Sequence, residues 1–132
     1  MKKVVVGIIS KKRENSEFEF FLVKSRRDFG EFTGCWYPPG GHLESGEDES
    51  TALIREVKEE TSLDIRPVQK LSETAGDVTD QITYWWSAEI IGGELKIDTE
   101  EISGFGFFTL SEIKAMSLWP ATRKFFEEFY KM

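Results

Sequence analysis

The apolar residues of this chain fall into short unbroken runs, then a stretch of helical period, then alternating runs again. Val4 to Ser10 is a short apolar run and predicts a buried strand. A polar turn over Lys11 to Ser16 leads to Glu17–Lys24, where Phe18, Phe20 and Leu22 would share one face and Phe21 and Val23 the other. That pattern predicts a strand covered on both sides, pairing with the first as a hairpin. Ser25 to Gly34 is polar, charged and glycine-bearing, hence a loop. At Ser45-Gly46-Glu47-Asp48 a helix is expected to begin, with Ser45 three residues ahead of Asp48 as a capping box, and to run to about Thr61.

Beyond the helix, Asp64 to Glu73 is mixed and broken by Pro67, which predicts an edge strand. Thr74 to Asp80 reads as a polar loop. Gln81 to Ile91 predicts a strong strand, with Ile82, Tyr84, Trp86 and Ala88 on one face and Thr83, Trp85, Ser87 and Glu89 on the other. Gly92-Gly93 reads as a tight turn. Phe105 to Phe108 predicts another strand, Ser111 the start of a short helix, and Pro120 the start of a last one. In that last helix Phe125, Phe126 and Phe129 form a stripe expected to cover the core. The order of elements implies an α/β fold, a mixed β-sheet with helices on both faces. No internal repeat or low-complexity segment appears, so residues 1–132 are expected to form one domain.

Composition narrows the partners. A chain of 132 residues, 39% hydrophobic and 31% charged, can bury about two-thirds of its unfolded surface and reads as globular. The net charge is −7, concentrated between Glu44 and Glu60, where seven carboxylates face only Arg55 and Lys58. Such a surface repels bare nucleic acid, and a polyphosphate could approach it only with metal ions between. The opening MKKVVVGIIS holds an apolar run of about six residues, too short for a secretory signal and far too short to span a bilayer. No membrane partner is expected. The single Cys35 excludes an internal disulfide and fits a reducing cytoplasm.

The acidic stretch carries the candidate chemistry. On a helix with about 100° between residues and Ala52 at zero, Glu59 falls near about −20°, Glu56 near about 40° and Glu60 near about 80°. Leu53 and Val57 sit near about 100° and 140°, so the carboxylates border the apolar stripe instead of lying opposite it. Three half-buried carboxylates about 6 Å apart repel by roughly 3 kcal/mol per pair at an effective dielectric of about 20. A cation would relieve them. With no cysteine near and His42 the only histidine, hard oxygen ligands favour Mg²⁺, with Mn²⁺ as a substitute, over Zn²⁺. Fully exposed, the same charges would cost only about 0.2–0.5 kcal/mol per pair, and an isolated E-x-x-E-E is usually a solvated face.

The surrounding residues decide between the two. Gly41, five residues, Glu47, seven residues, Arg55-Glu56-Val57, one residue, Glu59-Glu60 resembles the signature of the Nudix hydrolases, G-x5-E-x7-R-E-U-x-E-E-x-G-U with U aliphatic. Ser62 stands where that family has its second glycine, and Leu63 supplies the final aliphatic. A glycine at a helix end usually supplies a left-handed backbone, and serine there costs roughly 1 kcal/mol. Cys35 to His42 is similar to the family's run ahead of the box, an aromatic before Pro-Gly-Gly; His42 is read as a turn residue and Glu44 as added local charge.

The resemblance implies an α/β/α sandwich and hydrolysis of a nucleoside diphosphate linked to another group, with Mg²⁺ as cofactor. It casts the carbonyl of Gly40 with Glu56, Glu59 and Glu60 as metal ligands. Glu47 would pair with Arg55, and Arg55 would orient a catalytic carboxylate, Glu56 or Glu59.

Substrate choice lies outside the box. Arg26 and Arg27 are candidate phosphate clamps, because a planar guanidinium grips phosphate bidentately. Phe29 or Phe32 could stack on a base, and Tyr84, Trp85 and Trp86 in a row could form a nucleobase platform. Many members of the family carry an extra glutamate ahead of a late strand; Glu100 or Glu101 could fill that place. Subfamily markers, a proline for ADP-ribose or a tyrosine for dinucleoside polyphosphates, lie roughly fifteen to eighteen residues past the box. Val78, Thr79, Asp80 and Gln81 occupy that window, and Tyr84 is 21 residues past Leu63. By elimination the reading leans to a nucleoside triphosphate converted to monophosphate and pyrophosphate. The alternatives are a nucleotide-sensing module without turnover, or a hydrolase of a dinucleoside polyphosphate or nucleotide sugar. A homodimer is compatible with the pattern.

Overall fold

The apolar run that opens the chain becomes the axis of the sheet. In the computed structural model, which describes residues 2–75 and 80–132, it extends as β1 (Lys2–Lys12). Its partners are β2 (Phe18–Ser25), β3 (Trp36–Tyr37), β4 (Gly40–His42), β5 (Leu63–Ala75), β6 (Gln81–Gly93) and β7 (Ile102–Thr109). The order is β3-β2-β1-β6-β5, with β4 also on β1 and β7 on β2. β1 runs parallel to β6 from Lys2 opposite Gln81 to Ile9 opposite Ala88. Its other edge takes β4 antiparallel over Val4–Val6, and its last residues, Ser10 to Lys12, form the expected hairpin with β2. One strand thus joins both halves of a mixed sheet.

Helices cover both faces, as an α/β/α sandwich requires. α1 (Glu49–Thr61) lays Ala52, Leu53 and Val57 on Val5, Ile9, Phe21, Val23, Tyr84 and Ala88. On the opposite face α2 (Leu110–Lys114) and α3 (Pro120–Phe129) bring Ile113, Phe125 and Phe126 against Val6, Ile8, Phe20, Leu22 and Trp85. The alternation of β2 and β6 sorts their side chains between the two cores as period-two patterning demands. α3 begins with Pro120 at its first turn, where a missing N–H costs nothing. Among the described residues no helix is long and apolar enough to cross a membrane.

Several expectations are corrected. α1 begins at Glu49, not at Ser45: Gly46 has φ +79°, outside helical geometry, and Asp48 is the cap, accepting the Thr51 N–H at 2.8 Å. α2 begins one residue early, at Leu110, because Thr109 caps it in a reciprocal pair with Glu112. Gly92 and Gly93 make no turn. They lie in β6 opposite Asp64 and Leu63, and a Cβ on Gly93 would stand 3.1 Å from the Leu63 Cα, so close backbone approach is what that glycine serves. His42, expected as a turn residue, is instead the last residue of the short strand β4. Phe129 is 44% exposed and covers the core only in part. β5 is the edge strand expected, broken in register around Pro67, but it extends through Thr74 and Ala75. Residues 76–79 of the expected polar loop, with Val78 and Thr79 of the marker window, lie outside the described residues.

Candidate active site

The acidic box sits where α1 crosses the edge of β4. Asp48 starts the helix and Ser62 stops it, the latter in the left-handed region at φ +64° and ψ 8°. Serine therefore occupies the strained position expected from the departure at this place in the motif. Its hydroxyl donates to the Lys96 carbonyl at 3.2 Å, which offsets part of the cost.

Arg55 is the hub. Its Nε and Nη2 both donate to Glu47 at 2.8 Å, a two-pronged carboxylate pair. Nη2 also donates to the His42 carbonyl at 3.1 Å, and Nη1 to Glu56 Oε1 at 3.0 Å. Glu59 is held more loosely by the same Nη1, at 3.4 and 3.5 Å, and the Glu44 carboxylate approaches it at 3.6 Å. The hydrogen bonds from Arg55 bring the Glu47 carboxyl down to about 2, and the guanidinium itself is driven upward, first by Glu47. Glu47 and Arg55 are thus both fixed in their charged forms.

Glu56 and Glu60 line the inner side. Glu56 is 19% exposed, and its carboxylate lies directly against the Gly41 Cα, where any Cβ would overlap it. Burial raises its pKa, opposed by Arg55. Glu60 accepts the Gly40 N–H at 3.1 Å. Burial pushes Glu60 up to about 8, and the charges acting on it, Glu56, Glu101 and Glu59, are all negative. An enclosed carboxylate among anions is a group that a cation would satisfy. The donor set of carboxylate and carbonyl oxygens suits Mg²⁺ or Mn²⁺, so the residues fit the metal that the resemblance implies. Glu59 differs from the half-buried cluster expected: its side chain is 59% exposed. Among the described residues no three of the acidic, histidine or cysteine side chains converge as a ready ligand set; Arg55 Nη1 lies between Glu56 and Glu59 instead.

The remaining sequence candidates divide. Glu101 is close enough to act on Glu60 and pairs with Arg27 at 3.5 Å, so both stand at the acidic cluster. Arg26 is not a free clamp: its guanidinium donates to the Thr99 carbonyl at 2.7 Å and the Ile102 carbonyl at 3.5 Å. Phe29 packs edge-on against Trp119, 5.2 Å between ring centres, beside Phe32 stacked on the same indole. Tyr84 offers no platform, because it is 8% exposed, packed in the core under α1 and covered by Lys70 Nζ 4.5 Å from its ring. Trp85 is 2% exposed and stacked on Phe125 in the opposite core, and Trp86 is partly buried, its Nε1 donating to Glu49 at 2.8 Å and tying β6 to the start of α1.

Tyr37 was missed. It lies on β3 opposite Val23, and burial first, then the Glu60 carboxylate, pushes its phenol up to about 12. The only signal for it was its place two residues ahead of Pro39-Gly40.

A family model described as "NUDIX domain" matches residues 1–129. The chain belongs to the NUDIX family. Among relatives of this NUDIX domain, the "ADP-ribose pyrophosphatase" of Methanocaldococcus jannaschii is 32% identical over 83% of the chain and 64% of its own length. "Putative nudix hydrolase 1" of Caenorhabditis elegans is 28% identical over 92% of the chain, and an "NAD-capped RNA hydrolase NudC" of Stutzerimonas stutzeri is 27% identical over 74%. The NUDIX domain spans only about a third of those two, 33% and 35% of their lengths. A "NUDIX hydrolase from Nitrosomonas europaea" superposes with a TM-score of 0.77 over 98% of this chain and 88% of that one, at 24% identity. An Ap4A hydrolase of C. elegans gives 0.76 over 99% and 96%, at 20% identity. At those identities the two structures speak for the fold.

Proposed function

We propose that this NUDIX domain hydrolyses a diphosphate linkage in a nucleoside diphosphate derivative, with Mg²⁺, or Mn²⁺ in its place, as cofactor. The observation that carries the reading is the Glu47–Arg55–Glu56 chain of short hydrogen bonds set beside the enclosed Glu60. A solvated acidic face would have no reason to half-bury Glu60 against the Gly40 N–H or to spend an arginine on four acceptors.

Glu56, Glu60, the exposed and freer Glu59 and the carbonyl of Gly40 would hold the metal. When bound, the ion neutralises phosphate oxygens and acidifies the attacking water. Glu47 keeps Arg55 in place, and Arg55 keeps the Glu56 carboxylate turned toward β4. One of the two glutamates sharing Arg55 Nη1, Glu56 or Glu59, takes the proton of the water that attacks phosphorus in line. Arg27 would meet a phosphate, a reading supported by its exposed pair with Glu101, which is open to water.

Within that class the reading leans to a nucleoside triphosphate cleaved to monophosphate and pyrophosphate. A second substrate, ADP-ribose, is favoured by the relative of that name at 32% identity. A Mg²⁺-dependent hydrolysis screen over nucleoside triphosphates, ADP-ribose, a dinucleoside tetraphosphate and a nucleotide sugar separates them. Glu59→Gln is the control, with an expected loss of at least about a hundredfold. Near-normal turnover in that variant would sink the assignment, and binding without turnover in the native chain would favour a sensing module.

A further inference from the structure

The connection from β6 to β7, residues 94–101, passes the acidic cluster and is fastened from two sides. On the α1 side, the Lys96 N–H donates to the Thr61 carbonyl and the Asp98 N–H to the Glu60 carbonyl, both at 2.9 Å. The segment then knots on itself: the Glu101 and Ile102 N–H groups donate to the Asp98 carbonyl at 3.2 and 2.9 Å, and the Glu100 N–H donates to Asp98 Oδ1 at 3.1 Å. On the far side Arg26 closes the knot. Its backbone N–H donates to the Glu101 carbonyl at 2.9 Å, its Nε to the Thr99 carbonyl at 2.7 Å and its Nη2 to the Ile102 carbonyl at 3.5 Å.

Those three carbonyls bracket one carboxylate, that of Glu101. Its side chain is held differently: half exposed, its ion pair among the described residues is with the solvent-open Arg27 guanidinium at 3.5 Å, a pair that costs little to separate. A stiff main chain, bonded through the Asp98 N–H to the Glu60 carbonyl, thus carries a loose carboxylate. We propose that Arg26 is a positioning residue: its guanidinium fork fixes the main chain around Glu101 and so sets where that carboxylate stands when phosphate and metal arrive. The proposal rests on the hydrolase reading above and replaces a phosphate-clamp role for Arg26, whose donors already serve carbonyls. Lysine, a single ammonium, cannot bridge Thr99 and Ile102 as the planar fork does.

The test compares Arg26→Ala, Arg26→Lys, Glu101→Gln and the double variant Arg26→Ala/Glu101→Gln in the full chain. In the metal-free protein, amide exchange at Glu101 and Ile102 should quicken about tenfold in both Arg26 variants, while the α1 amides stay protected. In hydrolysis, Arg26→Ala and Arg26→Lys should each lose about ten- to a hundredfold in kcat/KM. The double variant should be no worse than Glu101→Gln alone, since Arg26 acts through Glu101. Full activity in Arg26→Lys would show that charge and not the fork matters, and would overturn the proposal. So would losses that multiply in the double variant, or unchanged exchange. The exchange measurement needs no substrate and decides the latch even where no diphosphate is hydrolysed, a result that would sink only the hydrolase reading.

Discussion

Glu60 Oε1 accepts the backbone N–H of Gly40 at 3.1 Å, which fastens the last turn of α1 to the short strand β4. A glutamine carbonyl can accept the same N–H, whereas burial and then Glu56, Glu101 and Glu59 raise the Glu60 carboxyl to about 8, so that at pH 7 folding must protonate an acid that is ionised in the unfolded chain. Glu60→Gln should therefore melt about 3–5 °C higher than the native chain in the absence of divalent ions. The rise in midpoint on adding Mg²⁺ should disappear in the same variant, because site binding is what produces it. Thermal melts with chelator and with Mg²⁺ check both; a variant that melts lower in chelator would count against a burdened carboxylate.

The Glu47–Arg55 fork gives a pH signature. Arg55 lowers the Glu47 carboxyl from its ordinary 4.5 to about 2 in the folded chain. A depressed carboxyl stabilises the fold fully above the unfolded value and loses that contribution as pH falls toward the folded one. Glu47→Gln should thus be less stable than the native chain at pH 7, with a gap that begins to close below about pH 4.5 and is gone near pH 2. Denaturant titrations stepped from pH 7 to pH 3 read the gap. A constant difference across that range would assign the stability to something other than this pair.

Gly41 makes room for a carboxylate. A Cβ there would overlap the Glu56 head group, standing 2.8 Å even from its farther oxygen, Oε1. The obstacle is the far end of a flexible side chain, so in Gly41→Ala the glutamate moves and the fold survives. Hydrolysis should fall about ten- to a hundredfold with a midpoint shift of no more than about 3 °C. Loss of folding in step with loss of activity would show that the glycine serves the backbone instead.

Ser62 separates strain from hydrogen bonding. Ser62→Ala keeps the left-handed backbone and loses the bond to the Lys96 carbonyl, whereas Ser62→Gly loses the bond but relieves the strain. The glycine variant should be more stable than the alanine variant by about 1 kcal/mol, measured by chemical denaturation. Equal stabilities would mean that the backbone at 62 carries no strain.

How far the site could be read ahead of the structure depended on how local each contact is. Glu56 and Glu60 lie on one helix, so their spacing already placed them together, whereas the pairing of Glu47 with Arg55 and the place of Gly41 were implied by the family resemblance. Arg26 and Tyr84 were misjudged for the same reason as each other. A guanidinium ahead of an acidic site and an aromatic in a strand look free in one dimension. Arg26 meets carbonyls more than seventy residues away, and Tyr84 lies under α1 and Lys70. Tyr37 was missed because its setting is assembled from Ser25, Arg27, Glu60 and Glu101, four residues in three separate segments.

The sequence by itself determined the sandwich, through strands of period two around a helix of period 3.6, and it determined which carboxylates border the apolar stripe of that helix. Both follow from local backbone geometry, which repeats along the chain without regard to what lies across from it. Only the tertiary structure decided that Glu60 is enclosed while Glu59 faces water, and that Arg26 fastens the chain around Glu101. Burial and long-range hydrogen bonds depend on which surfaces the fold presses together, and β4, the 94–101 connection and the turn after β2 meet only once the sheet has closed around β1.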